Sequence, residues 1–204
     1  MREGDDLAAL LAEAAQFEGG DVLVVSHKVV SKAEGRTVRG EKLDVVLGEA
    51  RRIVRRRESL VIAETRHGFV CASAGVDASN APEPGTLVLL PVDPDESARR
   101  LHEALGVAVI VSDSFGRPWR RGTTDVAIGV AGLAPLLDLR GVRDGTGYEL
   151  RTTEIAVADE IAAAAELVKG KIAGVPAAIV RGLSPTGDGS ARELVMPAER
   201  DLFR

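Results

Sequence analysis

Three clusters of charged and hydroxyl side chains follow apolar segments of the sequence. The first cluster, residues 26–36, contains His27, Lys28 and Lys32 among two serines. Lysine ammonium groups can neutralise and hydrogen-bond phosphate oxygens, so this stretch is a candidate phosphate site. It is not a Walker loop, because the chain has no G-x-x-x-x-G-K-[ST] pattern. A solvated charged loop is the alternative, and spacing does not decide between the two.

The second cluster, residues 74–80, places Asp77 three positions before Asn80. A carboxylate at this position could bind a hard cation such as Mg²⁺ or Mn²⁺, and the amide could contact a nucleotide. The alternative is an Asx turn, in which either side chain only caps the local backbone. The residues alone favour the turn.

The third cluster, residues 112–122, joins Asp113 and Ser114 to Arg117, Arg120 and Arg121. A carboxylate beside a hydroxyl is a combination found around phosphate-bound metal ions. Arginines bind carboxylates and phosphates through two parallel hydrogen bonds. An ion-paired surface or a subunit contact is the alternative, but three arginines with the chain's single tryptophan favour a site.

Other kinds of site have little support in the sequence. His27, His67, His102 and the single cysteine, Cys71, do not have the spacing of zinc ligands. No G-x-S-x-G motif is present. The residues therefore indicate at most a metal and phosphate site.

Charge and hydropathy exclude several classes of protein. The formal net charge is -5 and aromatic residues make up 3% of the chain, which argues against nucleic-acid binding. No apolar run approaches the roughly 20 residues that a membrane-spanning helix needs. With one cysteine and no signal segment, we expect a cytoplasmic protein with no membrane partner.

Strand-like and helix-like segments alternate, but hairpin-like pairs interrupt them. This pattern predicts a mixed α/β fold, of the α+β kind, with mixed and antiparallel sheets. Over 204 residues we expect either one domain or two small intertwined lobes. The period of apolar residues predicts a helix over 41–57, and the charged stretches 26–35 and 112–124 are expected to be loops.

Several stretches of the sequence resemble the coenzyme F420-0:L-glutamate ligase family. Together they extend over nearly the whole chain, in the order that the family has. They are residues 4–7, 29–36, 74–80, 113–117, 120–122 and 158–162, with a weaker match at 180–183.

The resemblance implies a GTP-dependent ligase that forms GDP. Such an enzyme adds L-glutamate to coenzyme F420-0, and to F420-1 where a second glutamate follows, through an acyl-phosphate intermediate. Two alternatives are an amide ligase of the same chemistry with a different carboxylate and amine, and a non-catalytic protein that binds nucleotide or F420.

Metal and catalytic residues also follow from the resemblance. It implies that Asp77 and Asp113 bind a first divalent cation, Mg²⁺ or Mn²⁺, and that Ser114 binds a second. A monovalent ion such as K⁺ is a further expected cofactor. Asp77, Asp113 and Lys32 are the expected catalytic residues.

Lys32 and Asn80 are expected to contact GTP, with His27 or Lys28 beside it. We expect the acidic coenzyme precursor or L-glutamate to bind to the arginines of the third cluster, Arg117, Arg120 and Arg121.

The resemblance implies a homodimer, and the chain departs from the family pattern at three places. Relatives carry a Gly-Leu-Pro segment before the Gly4-Asp5-Asp6 stretch, and we expect it to be missing here. Ser114 replaces a threonine, which keeps the hydroxyl. Some archaeal relatives have an acidic metal ligand at the position of Lys171. A lysine at this position is more similar to the bacterial branch of the family. The flavin-dependent reductase domain of bacterial two-domain relatives is not expected.

Overall fold

The computed structural model describes residues 1–202, and its centre is a four-stranded mixed sheet. Strands β11, β1, β7 and β8 follow one another across this sheet, and three smaller sheets join β10 to β9, β2 to β6, and β3 to β4 and β5. The strands are β1 (Val22–Ser26), β2 (Thr37–Arg39), β3 (Ala50–Arg57), β4 (Leu60–Thr65), β5 (Val70–Ala72), β6 (Thr86–Val88), β7 (Ala108–Arg117), β8 (Arg120–Ala131), β9 (Leu137–Asp138), β10 (Glu154–Ile155) and β11 (Ala177–Val180).

Five α-helices accompany these strands in the described part of the chain. Helix α4 begins at an Asp93 cap with Pro94 in its first turn and ends at Gly106, which has a positive φ of 70°. No helix among residues 1–202 is long and apolar enough to cross a membrane. The helices are α1 (Leu7–Ala14), α2 (His27–Ala33), α3 (Lys42–Glu49), α4 (Pro94–Leu105) and α5 (Val157–Lys169).

The main hydrophobic core lies around the central sheet. Strand β1 is parallel to β7 and antiparallel to β11, and its first four residues are almost fully buried. Helices α4 and α5 both pack on β8. Strands buried on both faces form continuous apolar runs, which explains why β1 was recognisable from sequence. The predicted mixed α+β class is confirmed.

A second, smaller core lies outside the central sheet. It joins helix α3 to the β3–β4–β5 sheet and to β6, and its buried residues include Val46, Val61 and Leu87. The two cores are separate clusters of buried side chains. The part of the chain that carries Asp77 is therefore supported by different packing from the part that carries Asp113.

The predicted helix over 41–57 is wrong in its second half. Helix α3 ends at Glu49, and residues 50–57 form β3, which pairs with β4 through two irregularities of register. Within residues 1–202, β3 is paired on one side only, and all five of its arginines are exposed. Pairing with β4 therefore prevails over the helical spacing of the apolar residues.

Two stretches expected to be loops are regular structure. Residues 27–33 form α2, and residues 112–124 lie in the β7–β8 hairpin, whose turn falls at Pro118 and Trp119. Trp119 has a positive φ of 56° in this turn. Ser112 to Gly116 pair with residues 123–127, so the polar side chains of this segment are held by a ladder rather than by a flexible loop.

Candidate active site

One cleft brings together half of the predicted site residues. Because β1 and β7 are parallel and β7 continues to Arg117, the carboxyl end of β1 lies beside the middle of β7, with Ser26 opposite Ser112. Helix α2 starts at the next residue after β1, so both charged clusters meet at this edge of the sheet. The cleft has a volume of about 530 Å³. Its lining includes Lys28, Lys32, Asn80, Asp113, Ser114 and Lys171.

His27 and Asp113 face each other beside this cleft. The imidazole Nε2 lies 3.2 Å from Asp113 Oδ1, but it makes no hydrogen bond there. His27 is 1% exposed, and its Nδ1 lies 3.4 Å from the Ser31 hydroxyl. Asp113 Oδ1 also accepts the backbone N–H of Ser114. His27 Nε2 is therefore buried close to the Asp113 carboxylate, and its capacity to form a hydrogen bond is not used.

Asp77 is held by Lys28 rather than by the cleft itself. Lys28 Nζ lies 2.6 Å from Asp77 Oδ2 and donates to Ser79 Oγ. Ser79 donates its backbone N–H and its hydroxyl to Asp77, which is the Asx turn expected as the alternative. Burial would raise the pKa of Asp77, but the hydrogen bonds from Lys28 and Ser79 lower it to about 2. Asp77 is therefore ionised at neutral pH, and its negative charge is balanced by the Lys28 ammonium.

Oxygen donors in the cleft suit a hard divalent cation. Asp113, Ser114 and Glu166 all line it. Across residues 1–202 no group of three His, Cys, Asp or Glu side chains is arranged to hold a metal ion. Mg²⁺ commonly takes only one or two protein carboxylates and completes its shell with water and substrate phosphates. The oxygens of Asp113 and Ser114 therefore fit divalent cations that take part of their coordination shell from a phosphate substrate.

Lys32 is a cation in the cleft that is available to an anionic ligand. Burial, and to a lesser degree the charge of Lys28, lower the pKa of Lys32. No ion pair of Lys32 occurs within the described residues. Burial removes water from around the Lys32 ammonium, and an anionic ligand in the cleft would stabilise its charged form instead.

Sequence reasoning missed a buried ion pair next to the cleft. Lys169 is 2% exposed and Asp125 is 3% exposed, and Lys169 Nζ lies 2.8 Å from Asp125 Oδ2. Lys169 lies on the buried face of α5, whose other members include Ala158, Ala162 and Ala165. Lys169 has the helical spacing that places it on the same face as these alanines, and this spacing could have indicated from the sequence that the lysine is buried.

Hydrogen bonds hold the Asp125 carboxylate in its ionised form. Burial would raise the pKa of Asp125, but hydrogen bonds from Lys169, Ser114 and Ser112 lower it. Glu166, 3.9 Å from Lys169, has the opposite shift: burial and the charge of Asp125 raise its pKa. Two carboxylates with opposite shifts therefore lie beside one ammonium.

The predicted arginines lie away from the cleft. Arg117, Arg120 and Arg121 are exposed at the end of the β7–β8 hairpin, where Arg117 donates to the carbonyl of Arg121. The hairpin end borders a separate, mostly apolar cavity of about 1060 Å³. Phe115 lines that cavity and lies two residues beyond Asp113 on β7. The structure thus places the arginines on the same hairpin as Asp113, outside its cleft.

The remaining histidines and the cysteine have structural contacts. His67 Nε2 lies 2.9 Å from the Pro91 carbonyl, and His102 Nδ1 lies 2.7 Å from the Val107 carbonyl. Burial, together with the charge of Asp113, raises the pKa of Cys71 to about 12, so the thiol stays protonated at neutral pH.

Comparison with known proteins assigns the family. The sequence profile of the F420-0:gamma-glutamyl ligase family matches residues 1–44 and 39–182. The coenzyme F420:L-glutamate ligase of Methanopyrus kandleri is 45% identical over 236 aligned positions, which cover 100% of this chain and 93% of that protein. The proteins of the same name from Methanothermobacter thermautotrophicus and Methanocaldococcus jannaschii are 44% and 39% identical, cover 98% of this chain, and are themselves covered to 93% and 90%.

These matches define the class of protein to which the cleft belongs. The chain belongs to the F420-0:gamma-glutamyl ligase family. It is an enzyme of the ligase class.

Proposed function

We propose that this ligase adds L-glutamate to coenzyme F420-0 in a GTP-dependent reaction that releases GDP and phosphate. The names of its relatives support the coenzyme and the amino acid. The observation that carries the nucleotide part is the cleft between β1 and β7. The cleft is lined by Lys28 and Lys32 of α2 and by Asp113 and Ser114 of β7.

The reaction brings anionic groups together and therefore needs positive charge in the cleft. In the first step a carboxylate oxygen of the coenzyme attacks the γ-phosphorus of GTP, and GDP leaves. In the second step the glutamate amine attacks the carbonyl carbon, loses a proton, and phosphate departs with one former carboxylate oxygen. The coenzyme carboxylate and the GTP triphosphate are both anionic, so bringing them together requires fixed positive charge.

The residues of this chain supply that environment. Lys32 would bind phosphate oxygens, while Lys28 stays bound to Asp77 and orders the turn that carries Asn80. Asp113 would hold a first Mg²⁺ or Mn²⁺ and Ser114 a second, and when bound these ions would neutralise charge on the triphosphate. His27 Nε2 lies 3.2 Å from Asp113 Oδ1 on the buried side and is available to orient the carboxylate.

Replacement of Lys32 by alanine is expected to weaken nucleotide binding. The loss of one charge-assisted hydrogen bond costs about 1.5 to 3 kcal/mol, so the Kd for a non-hydrolysable GTP analogue should rise roughly 10- to 100-fold. Isothermal titration calorimetry measures it. Lys42→Ala, which removes an exposed lysine at the start of α3, is the matched control and should bind as the wild type does. Equal affinity of all three proteins would contradict the role of Lys32.

Replacement of Arg120 by alanine tests the third cluster. If the arginines of the hairpin hold an anionic substrate, the KM for coenzyme F420-0 or for L-glutamate should rise about 10-fold, with little change in the KM for GTP. Steady-state kinetics in each substrate separate these effects. Arg143→Ala, an exposed arginine in a different loop, is the control. If Arg120→Ala leaves both KM values unchanged, the arginines have no part in substrate binding.

One assay separates the proposal from its alternatives. The purified protein is incubated with coenzyme F420-0, L-glutamate, GTP and Mn²⁺, and GDP and the glutamylated product are followed by mass spectrometry. Formation of both supports the proposal. GDP formed only with another acceptor would make the chain a ligase of different specificity. Tight nucleotide binding without turnover under any of these conditions would make it a non-catalytic relative.

A further inference from the structure

Ser114 belongs to a closed network of hydrogen bonds centred on Asp125. The Ser114 hydroxyl donates to Asp125 Oδ1 at 2.7 Å. The Ser112 hydroxyl and Lys169 Nζ both donate to Asp125 Oδ2 at 2.8 Å, and Lys169 also donates to Ser112. Both oxygens of the carboxylate are therefore occupied by donors from this chain.

The chemistry of the network fixes the direction of the Ser114 hydroxyl. An ionised carboxylate only accepts hydrogen bonds, so the Ser114 proton must point to Asp125. The remaining lone pairs of Ser114 Oγ are then directed elsewhere, and Ser114 lines the cleft. A hydroxyl that binds a cation must present lone pairs and not its proton. The network prepares Ser114 for that role.

Lys169 makes this arrangement possible without a metal ion at Asp125. A carboxylate that is 3% exposed needs a counter-charge, and the Lys169 ammonium supplies it at contact distance. Lys169 and Ser112 donate to Oδ2 and Ser114 donates to Oδ1, so both oxygens of Asp125 already bind partners within the chain.

We propose that Asp125, paired with Lys169, is a positioning residue that orients the Ser114 hydroxyl so that its oxygen binds a divalent cation. This rests on the proposed function, in which Ser114 is a cation ligand. Asp125 does not touch the cation. It acts through Ser114, as outer-shell partners orient metal ligands in other sites.

Asp125→Asn is the decisive variant, because it reverses one hydrogen bond. Lys169 is a donor only, so it forces the asparagine oxygen towards itself and Ser112. The asparagine NH₂ then faces Ser114 and donates to its oxygen, which turns the Ser114 proton away from residue 125. The side-chain shape is unchanged, while a lone pair of Ser114 is consumed.

The measured quantity is the Kd of Mn²⁺ in the presence of a non-hydrolysable GTP analogue, obtained from the electron paramagnetic resonance signal of free Mn²⁺. For Asp125→Asn we expect a rise of about 10-fold or more. In the Ser114→Ala background the same substitution should have no further effect, because the group through which it acts is gone. An equal weakening in both backgrounds, or an unchanged Kd in Asp125→Asn, would overturn the proposal.

Ser112→Ala and Ser114→Ala give a second test if Asp125→Asn does not fold. Both remove one hydroxyl from Asp125, but Ser112 is fully buried. We expect the Ser114→Ala variant alone to lose Mn²⁺ affinity, and Ser114→Thr to retain it. Equal losses in Ser112→Ala and Ser114→Ala would count against the proposal. Absence of Mn²⁺ binding to the wild type with nucleotide would instead refute the metal part of the proposed function.

Discussion

Replacing Asp113 by asparagine is expected to lower kcat at least about 100-fold while the protein stays folded. The substitution keeps the shape of the side chain but removes the negative charge that faces the cleft. Stabilising groups at a reaction centre are typically worth a factor of about 100 to 1,000 each. Because the side chain is 14% exposed and its only ionic neighbour is His27 within the described residues, folding depends little on its charge.

Initial rates of GDP release under saturating substrates measure this effect. Asp44→Asn, an exposed aspartate in the first turn of α3, is the matched control and should keep wild-type kcat. Thermal unfolding of both variants shows that the fold is retained. A kcat for Asp113→Asn within about threefold of wild type would remove Asp113 from the catalytic site.

Replacing Lys169 by methionine is expected to destabilise the protein by about 3 to 5 kcal/mol, because it leaves the buried Asp125 carboxylate without a counter-charge. Methionine fills a similar volume, so the loss reports the charge and not a cavity. Adding Asp125→Asn in the same chain neutralises the stranded carboxylate, so the double variant should recover part of the loss.

Urea unfolding at neutral pH gives the free energy of unfolding for each variant. Lys171→Met makes the same change two residues further on, at an exposed lysine, and should stay within about 0.5 kcal/mol of wild type. If Lys169→Met is as stable as Lys171→Met, the Lys169–Asp125 pair does not stabilise the fold.

The positions of the charged clusters could be predicted because each follows an apolar strand. The parallel pairing of β1 and β7 then brings Lys28, Lys32, Asp113 and Ser114 into one cleft. Periodicity could not show that α2 begins at His27, since its buried face includes a histidine, a lysine and a serine. Because these residues are polar, their composition predicts that they are exposed, whereas in the fold they are buried beside the cleft.

Partners distant in sequence were beyond prediction from local patterns. Asp77 was expected to face a metal ion, and its ionic contact is with Lys28 on a separate helix. Asp125 and Lys169 are 44 residues apart and meet only because α5 packs on β8. The resemblance to a family located the motifs that we propose contact substrates, but it gave no indication of the Asp125–Lys169 pair.

The central claim, ligation through a phosphorylated carboxylate, is tested most directly by following the oxygen atoms. Coenzyme F420-0 labelled with ¹⁸O in its terminal carboxylate is converted with GTP and L-glutamate, and the released phosphate is analysed by mass spectrometry. An acyl phosphate requires one labelled oxygen in each phosphate per amide bond formed. Amide product accompanied by unlabelled phosphate would contradict the account.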